Sequence, residues 1–175
     1  MTARGTTSES PASEAPDGSH GLRIQEEPPT AEDVRALLGT HLSFARGCTP
    51  PEDAHALDLE ALQDPAVRFF TARRAGTLLG VGALQRIGPE HFEVKSMHVA
   101  EAARRQGVGR AMLRHLMAAA RSAGAERISL ETGTMEEFAA ARALYREEGF
   151  HECGPYGSYA ASRNTVFLTW IRRVP

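Results

Sequence analysis

Apolar and polar positions alternate with two periods along this chain, and switches between them mark the elements. Leu22-Arg23-Ile24-Gln25 alternates with period two and predicts a short first strand. Val34, Leu37, Leu38, His41 and Phe44-Ala45 then recur at helical spacing. Thr30 is the expected N-cap of that helix, with Asp33 as a weak capping-box partner, and the helix should end near Gly47. Cys48-Thr49-Pro50-Pro51 stops it, and Glu52 to Gln63 reads as a second helical or irregular segment around Leu57, Leu59 and Leu62. Val67 to Arg74 and Thr77 to Ile87 are two strands meeting at Ala75-Gly76. Gly80 and Gly82 mark a bulge or a close approach by another backbone, and Gly88-Pro89 turns the chain into a strand from His91 to Val99.

The second half repeats the alternation of types. Val108 to Ala123 is a helix with Val108, Met112, Leu116 and Ala119-Ala120 on one face and Arg110, Arg114 and Arg121 elsewhere; Gly124 ends it. Arg127 to Thr132 is a strand of the buried type, and Glu136 to Glu148 a helix ended by Gly149. Phe150 to Cys153 and Thr165 to Arg172 are the last two strands. The order β α α β β β α β α β β implies an α+β fold, α/β/α in layers, with a largely antiparallel sheet and one parallel β-α-β unit.

Composition narrows the class. The 175 residues suit one domain, expected over 21–175, with 42% hydrophobic and 24% charged residues as in ordinary globular proteins. Residues 1–20 carry no apolar residue larger than alanine apart from proline after Met1, so a disordered tail is expected. A net charge of −2 gives no reason to expect nucleic acid or membrane as a partner. No apolar run is long enough to span a bilayer, no signal-peptide pattern opens the chain, and Cys48 and Cys153 fit neither a disulfide framework nor a zinc motif. A cytoplasmic location is expected, with no metal.

The stretch richest in chemistry is Arg104-Arg105-Gln106-Gly107-Val108-Gly109-Arg110, between a strand and a helix. Helix starts carry backbone N–H groups without intrahelical partners, and glycines let an anion approach them. A pyrophosphate cradle and an ordinary glycine-assisted helix start both fit this spacing. Lys95 is the only lysine, so no lysine-dependent phosphate loop is present. A dinucleotide fingerprint lacks its third glycine, replaced by Met112.

With Leu144-Tyr145-Arg146-Glu147-Glu148-Gly149-Phe150, this loop resembles the GNAT superfamily of acyl-CoA-dependent N-acyltransferases. The loop matches the family's Arg/Gln-x-x-Gly-x-Gly/Ala, and the second segment its Leu-Tyr-x-x-x-Gly-Phe. The resemblance covers roughly Leu22 to Arg172. Leu130-Glu131-Thr132-Gly133, Gly154-Pro155-Tyr156 with Tyr159, and Thr49-Pro50-Pro51-Glu52 leading into His55 are similar to one bacterial branch. One departure is Phe138, where many members carry an asparagine that helps hold the cofactor.

The resemblance implies a GNAT fold flanked by about four helices, whose sheet is splayed at its centre where the strand from Phe92 to Val99 bulges and parts from the next one. It also implies transfer of an acetyl group from acetyl-CoA to a primary amine of a small molecule or peptide, by direct attack in a ternary complex, and it allows a homodimer. Gln106 to Arg110, with Arg104 and Arg105, would hold the pyrophosphate. Met97, His98 and Val99 would pair with the pantetheine arm and polarise the thioester carbonyl. Tyr145 would contact the cofactor and protonate the leaving thiolate, although by pattern alone it is an amphipathic-helix core residue. Glu93 and His98 are the candidates to take the amine's proton, with Glu131 third. Each also has a plain reading, Glu93 as a partner of Lys95 on a half-exposed strand face and His98 as a structural residue. His41, Phe44, His55, Tyr156 and Tyr159 fall in the segments expected around the acceptor. The rival reading on the same fold is a non-catalytic acyl-CoA sensor.

Overall fold

The computed structural model describes residues 21–49 and 59–173. Its elements are β1 (Leu22–Glu26), α1 (Glu32–Cys48), β2 (Val67–Arg74), β3 (Thr77–Arg86), β4 (His91–Val99), α2 (Val108–Ser122), β5 (Arg127–Gly133), α3 (Ala139–Glu147), β6 (His151–Cys153) and β7 (Thr165–Ile171). Short 3₁₀ turns cover Ala61–Gln63, Glu101–Ala103 and Glu136–Phe138. The seven strands form one sheet in the order β1-β2-β3-β4-β5-β7-β6. Only β4 and β5 pair in parallel; all other neighbours are antiparallel.

The sheet is covered on both faces. Phe70, Leu84, Val94, Ile128, Leu130 and Leu168 face the buried stripe of α2, made by Val108, Met112, Leu113, Leu116, Met117 and Ala120. Alternation sends Phe69, Val81 and Ala83 to the opposite face, where Val34 and Leu38 of α1 and Leu62 cover them. Gly82 lets α2 sit this close: a Cβ there would lie 3.0 Å from Leu116 Cδ1 and 3.2 Å from Met112 Cγ. Arg73 of β2 ties down the start of α1, its Nη1 lying 2.6 Å from Asp33 Oδ2 while Nη2 reaches Glu27 at 3.1 Å.

Several details differ from the sequence-based expectation. The α1 N-cap is Ala31, not Thr30, and no side chain caps it; the Asp33 carboxylate instead accepts from the neighbouring Val34 N–H at 2.8 Å. The expected helix at Glu136 opens as a 3₁₀ turn and becomes α-helical at Ala139. Three α-helices flank the sheet among the described residues. Most of the expected segment from Glu52, and the tail over 1–20, lie outside the described residues, while Ala61–Gln63 is a 3₁₀ turn. No helix among the described residues is long and apolar enough to cross a membrane.

Two irregularities shape the centre of the sheet. β4 and β5 pair only at His91–Arg127, Phe92–Ile128 and Glu93–Ser129, and beyond these both strands continue without pairing to each other. β4 also bulges against β3: Val81 pairs with His98 and Ala83 with Lys95, so Ser96 and Met97 together oppose Gly82. Ser96 takes φ +51°, a left-handed conformation unusual for serine.

Candidate active site

The bulge decides what β4 presents. In a regular strand Glu93, Lys95 and Met97 would share a face, with His98 on the other. The extra residue resets the alternation, so Met97 packs towards the α2 core while His98 joins Glu93 and Lys95 on the α1 face. The splay meanwhile opens a cleft of about 880 Å³ between the diverging strands. Past Glu93 the β5-facing peptide groups of β4 border this space rather than a sheet partner. Met97, His98 and Val99 all line it.

One end of the cleft is the glycine loop. Arg105 and Gly107 both have positive φ, +63° and +79°, and Gly107 is the N-cap of α2. Ala111 N–H bonds to the Gly107 carbonyl at 3.0 Å, which leaves the N–H groups of Val108, Gly109 and Arg110 ahead of the helical ladder. The dipole of a 15-residue helix adds to the attraction for an anion there. Arg104, Arg105, Gly107, Val108, Gly109 and Arg110 line the cleft.

The side chains of the loop divide. Gln106 turns away: its amide donates to the Ala102 carbonyl at 2.8 Å and its oxygen accepts from Arg74 Nη1 at 3.1 Å. Arg110 is engaged by α3, with Nη1 2.9 Å from Glu148 Oε1 and Nη2 paired with Glu147. Arg114 completes that clamp at 2.7 Å from Glu148 Oε2, and its hydrogen bond holds the Glu148 carboxyl below the usual range.

Tyr145 reaches the cleft from α3, 7% exposed and with its ring centroid 6.1 Å from that of Phe150. Burial, helped by the nearby Glu131 carboxylate, pushes its phenol up to about 12. The hydroxyl is therefore protonated at neutral pH and able to donate.

Glu93 and Lys95 are paired, but not on a half-exposed face: Nζ lies 3.2 Å from Oε1, with the side chains 9% and 5% exposed for Lys95 and Glu93. The same Oε1 accepts from the hydroxyls of Tyr156 at 3.0 Å and Tyr159 at 2.6 Å. Burial first, then the Glu93 charge, raises both phenols above the ordinary tyrosine range. Glu93 thus anchors the loop between β6 and β7 to the central strand. Glu131 borders the cleft from β5.

His98 meets α1. Its ring centroid is 5.2 Å from that of His41 and 6.2 Å from that of Phe44, and Phe44 packs edge-on to Phe138 at 5.2 Å. Neither His98 Nε2 nor His41 Nδ1 has a hydrogen-bond partner among the described residues. Burial lowers both imidazoles, with Arg104 adding to the effect at His98; His41 falls to about 4, the His98 charge contributing. Phe138 fits because residue 133 is glycine: a Cβ there would lie 2.6 Å from Phe138 Cδ2. Lys95 and Gly133 were not among the sequence-based site candidates. The chain's one lysine, beside Glu93, was the available signal for the first; the contact of Gly133 with Phe138 has none.

Of the sequence candidates, Glu93, Met97, His98, Val99, Arg104, Arg105, Gly107, Val108, Gly109, Arg110 and Tyr145 line one cleft, as do His41, Phe44 and Tyr159. Gln106 is beside it, Tyr156 supports it through Glu93, and His55 lies outside the described residues.

The chain is similar to known acetyltransferases. The model of the Acetyltransferase (GNAT) family matches residues 34–150. The uncharacterized N-acetyltransferase YsnE of Bacillus subtilis is 38% identical over 85% of this chain and 98% of its own length. The IAA acetyltransferase of Azospirillum brasilense is 37% identical over 84% of this chain and 95% of its own. Among solved structures, a Bacillus subtilis acetyltransferase in complex with CoA shares the fold at a TM-score of 0.65, with 19% identity over 87% of this chain and 99% of that one.

Proposed function

The chain belongs to the GNAT acetyltransferase family, and on that premise we propose that it transfers an acetyl group from acetyl-CoA to a primary amine by direct attack in a ternary complex. The observation that carries this reading is the junction of two features in one cleft: an unpaired half of β4 and a glycine-led helix start. The first offers peptide groups to an amide-bearing chain; the second offers N–H groups and dipole to a pyrophosphate. A coenzyme A bound in a relative with this fold is consistent with that use.

Backbone groups of Val108 to Arg110 would hold the pyrophosphate, with Arg104 and Arg105 adding charge. The side chains of Gln106 and Arg110 are engaged elsewhere, so their contribution would be through the backbone. N–H groups at Met97 to Val99 would polarise the thioester carbonyl.

The amine must attack as the free base, and an alkylamine of pKa about 10 is mostly protonated at neutral pH. His98, neutral and with Nε2 unpartnered among the described residues, is suited to take its proton. Glu93 already accepts three hydrogen bonds on Oε1, and would act through its other oxygen or through water. As the amine nitrogen bonds to the acyl carbon, the carbon–sulfur bond breaks and the thiolate leaves with its electron pair. Tyr145 would then donate its phenolic proton to sulfur.

Calorimetric titration with acetyl-CoA, followed by thiol release in the presence of primary amines, tests the proposal. Saturable binding and amine-dependent thiol release are expected. Binding without release on any amine would favour a sensor instead.

A further inference from the structure

We propose that the α1 side of the cleft is the acceptor subsite, and that it takes a primary amine carried on a flat apolar body bearing an uncharged hydrogen-bonding group, such as a phenol. This rests on the acetyl-transfer reading and specifies its substrate class. Four rings from three separate elements meet here: His41 and Phe44 from α1, His98 from β4, and Phe138 from the turn before α3. A backbone irregularity and a glycine stand where this meeting requires them. The bulge at Ser96-Met97 brings His98 to this face, and Gly133 admits the Phe138 ring.

The rings form an apolar wall with a polar centre. Phe44 and Phe138, edge to face, present aromatic surface suited to a flat group. His41 Nδ1 and His98 Nε2 are buried without partners among the described residues. Buried nitrogens of that kind cost free energy until a ligand supplies the missing bond. Both imidazoles are neutral at physiological pH, so each nitrogen is a donor or an acceptor according to tautomer and neither calls for a charged partner. Glu131 and Glu137 border the cleft singly, so among the described residues a polyamine or lysine-rich peptide would find no run of carboxylates on this wall, and a short alkylamine would engage His98 but leave His41 Nδ1 unpaired.

The test uses the full chain with acetyl-CoA and four amines: tyramine, phenethylamine, butylamine and spermidine. Tyramine should exceed butylamine and spermidine in kcat/KM by about tenfold or more, and phenethylamine by several-fold. His41→Phe keeps a ring but removes the nitrogens, and should bring the tyramine-to-phenethylamine ratio close to one while acetyl-CoA affinity is unchanged. Phe44→Ala, a second and independent variant, should shrink the preference of both aryl amines over butylamine. Equal turnover of spermidine or butylamine, an unmoved ratio in His41→Phe, or tight acetyl-CoA binding with no aryl amine turned over would each overturn the subsite. Absence of acetyl-CoA binding would instead overturn the reading beneath it.

Discussion

The Tyr159 hydroxyl donates to Glu93 Oε1 at 2.6 Å while accepting from Lys95 Nζ at 2.5 Å, so one phenol bridges a buried ion pair across 66 residues of chain. Tyr159→Phe removes both bonds but leaves Lys95 and Glu93 in direct contact. A loss of about 1–3 kcal/mol is expected. Lys95→Met leaves a buried carboxylate with, among the described residues, the two phenols alone, which should cost more, about 3–5 kcal/mol. Urea denaturation of the two variants checks the order, and Lys95→Met proving the milder would refute this account of the network.

Gly109→Glu separates folding from cofactor binding. A Cβ at Gly109 would meet Val99 Cγ2 at 3.5 Å and Leu144 Cδ2 at 3.6 Å, ordinary contact distances. A carboxylate in the first turn also suits the helix dipole. The fold should persist with a near-normal melting temperature, while acetyl-CoA affinity falls by about 100-fold or more through repulsion of the pyrophosphate. Unchanged affinity in calorimetry would remove the glycine loop as the anion site.

Tyr145→Phe tests the acid. The ring stays in the core beside Phe150, and only the hydroxyl is lost. The expected result is a fall in kcat of about 10²-fold with acetyl-CoA affinity nearly unchanged. Equal kcat would assign thiolate protonation to another donor, such as water.

His41 predicts an acid-side loss of stability. Its folded pKa of about 4 lies below the ordinary histidine value of 6.5, so between the two the unfolded chain binds the extra proton. The stabilisation is complete above pH 6.5 and is lost as pH falls towards 4, by at most about 3 kcal/mol. Carboxylates titrate in the same window, so the informative quantity is the difference between the wild type and His41→Phe. The variant should lose less stability than the wild type between pH 7.5 and 4.5, and parallel losses would contradict a buried neutral His41.

The strands and α2 were legible because their signals are local: alternation, a 3.6-residue stripe, and glycines at turns. The cleft's pyrophosphate end was legible for the same reason, since Gly107 and Gly109 sit within the element they start. On the α1 face His41 and Phe44 were named, but not how they meet the sheet. The resemblance implies a bulge in this strand, but Ser96 carries it without being a glycine, so its position, and with it the joining of His98 to Glu93, was not marked in the residues. Thr30 resembled a cap, yet Arg73 fixes the helix start through Asp33, a contact 40 residues distant. Phe138 looked only like a missing asparagine; that it reaches Phe44 depends on Gly133 and on the packing of α1 against the sheet.

The bulge in β4 behaves like a dislocation in a lattice: side-chain motion cannot heal it, only the addition or removal of a residue. A regular strand that kept Ser96 would slip by one against β3 and transpose every later position. Met97 would then stand beside Lys95 and His98 would be delivered to the apolar layer under α2. Residues 91–95 and 98–99 are in effect two short strands with separate phases, and the parity between them determines which chemistry the cleft receives.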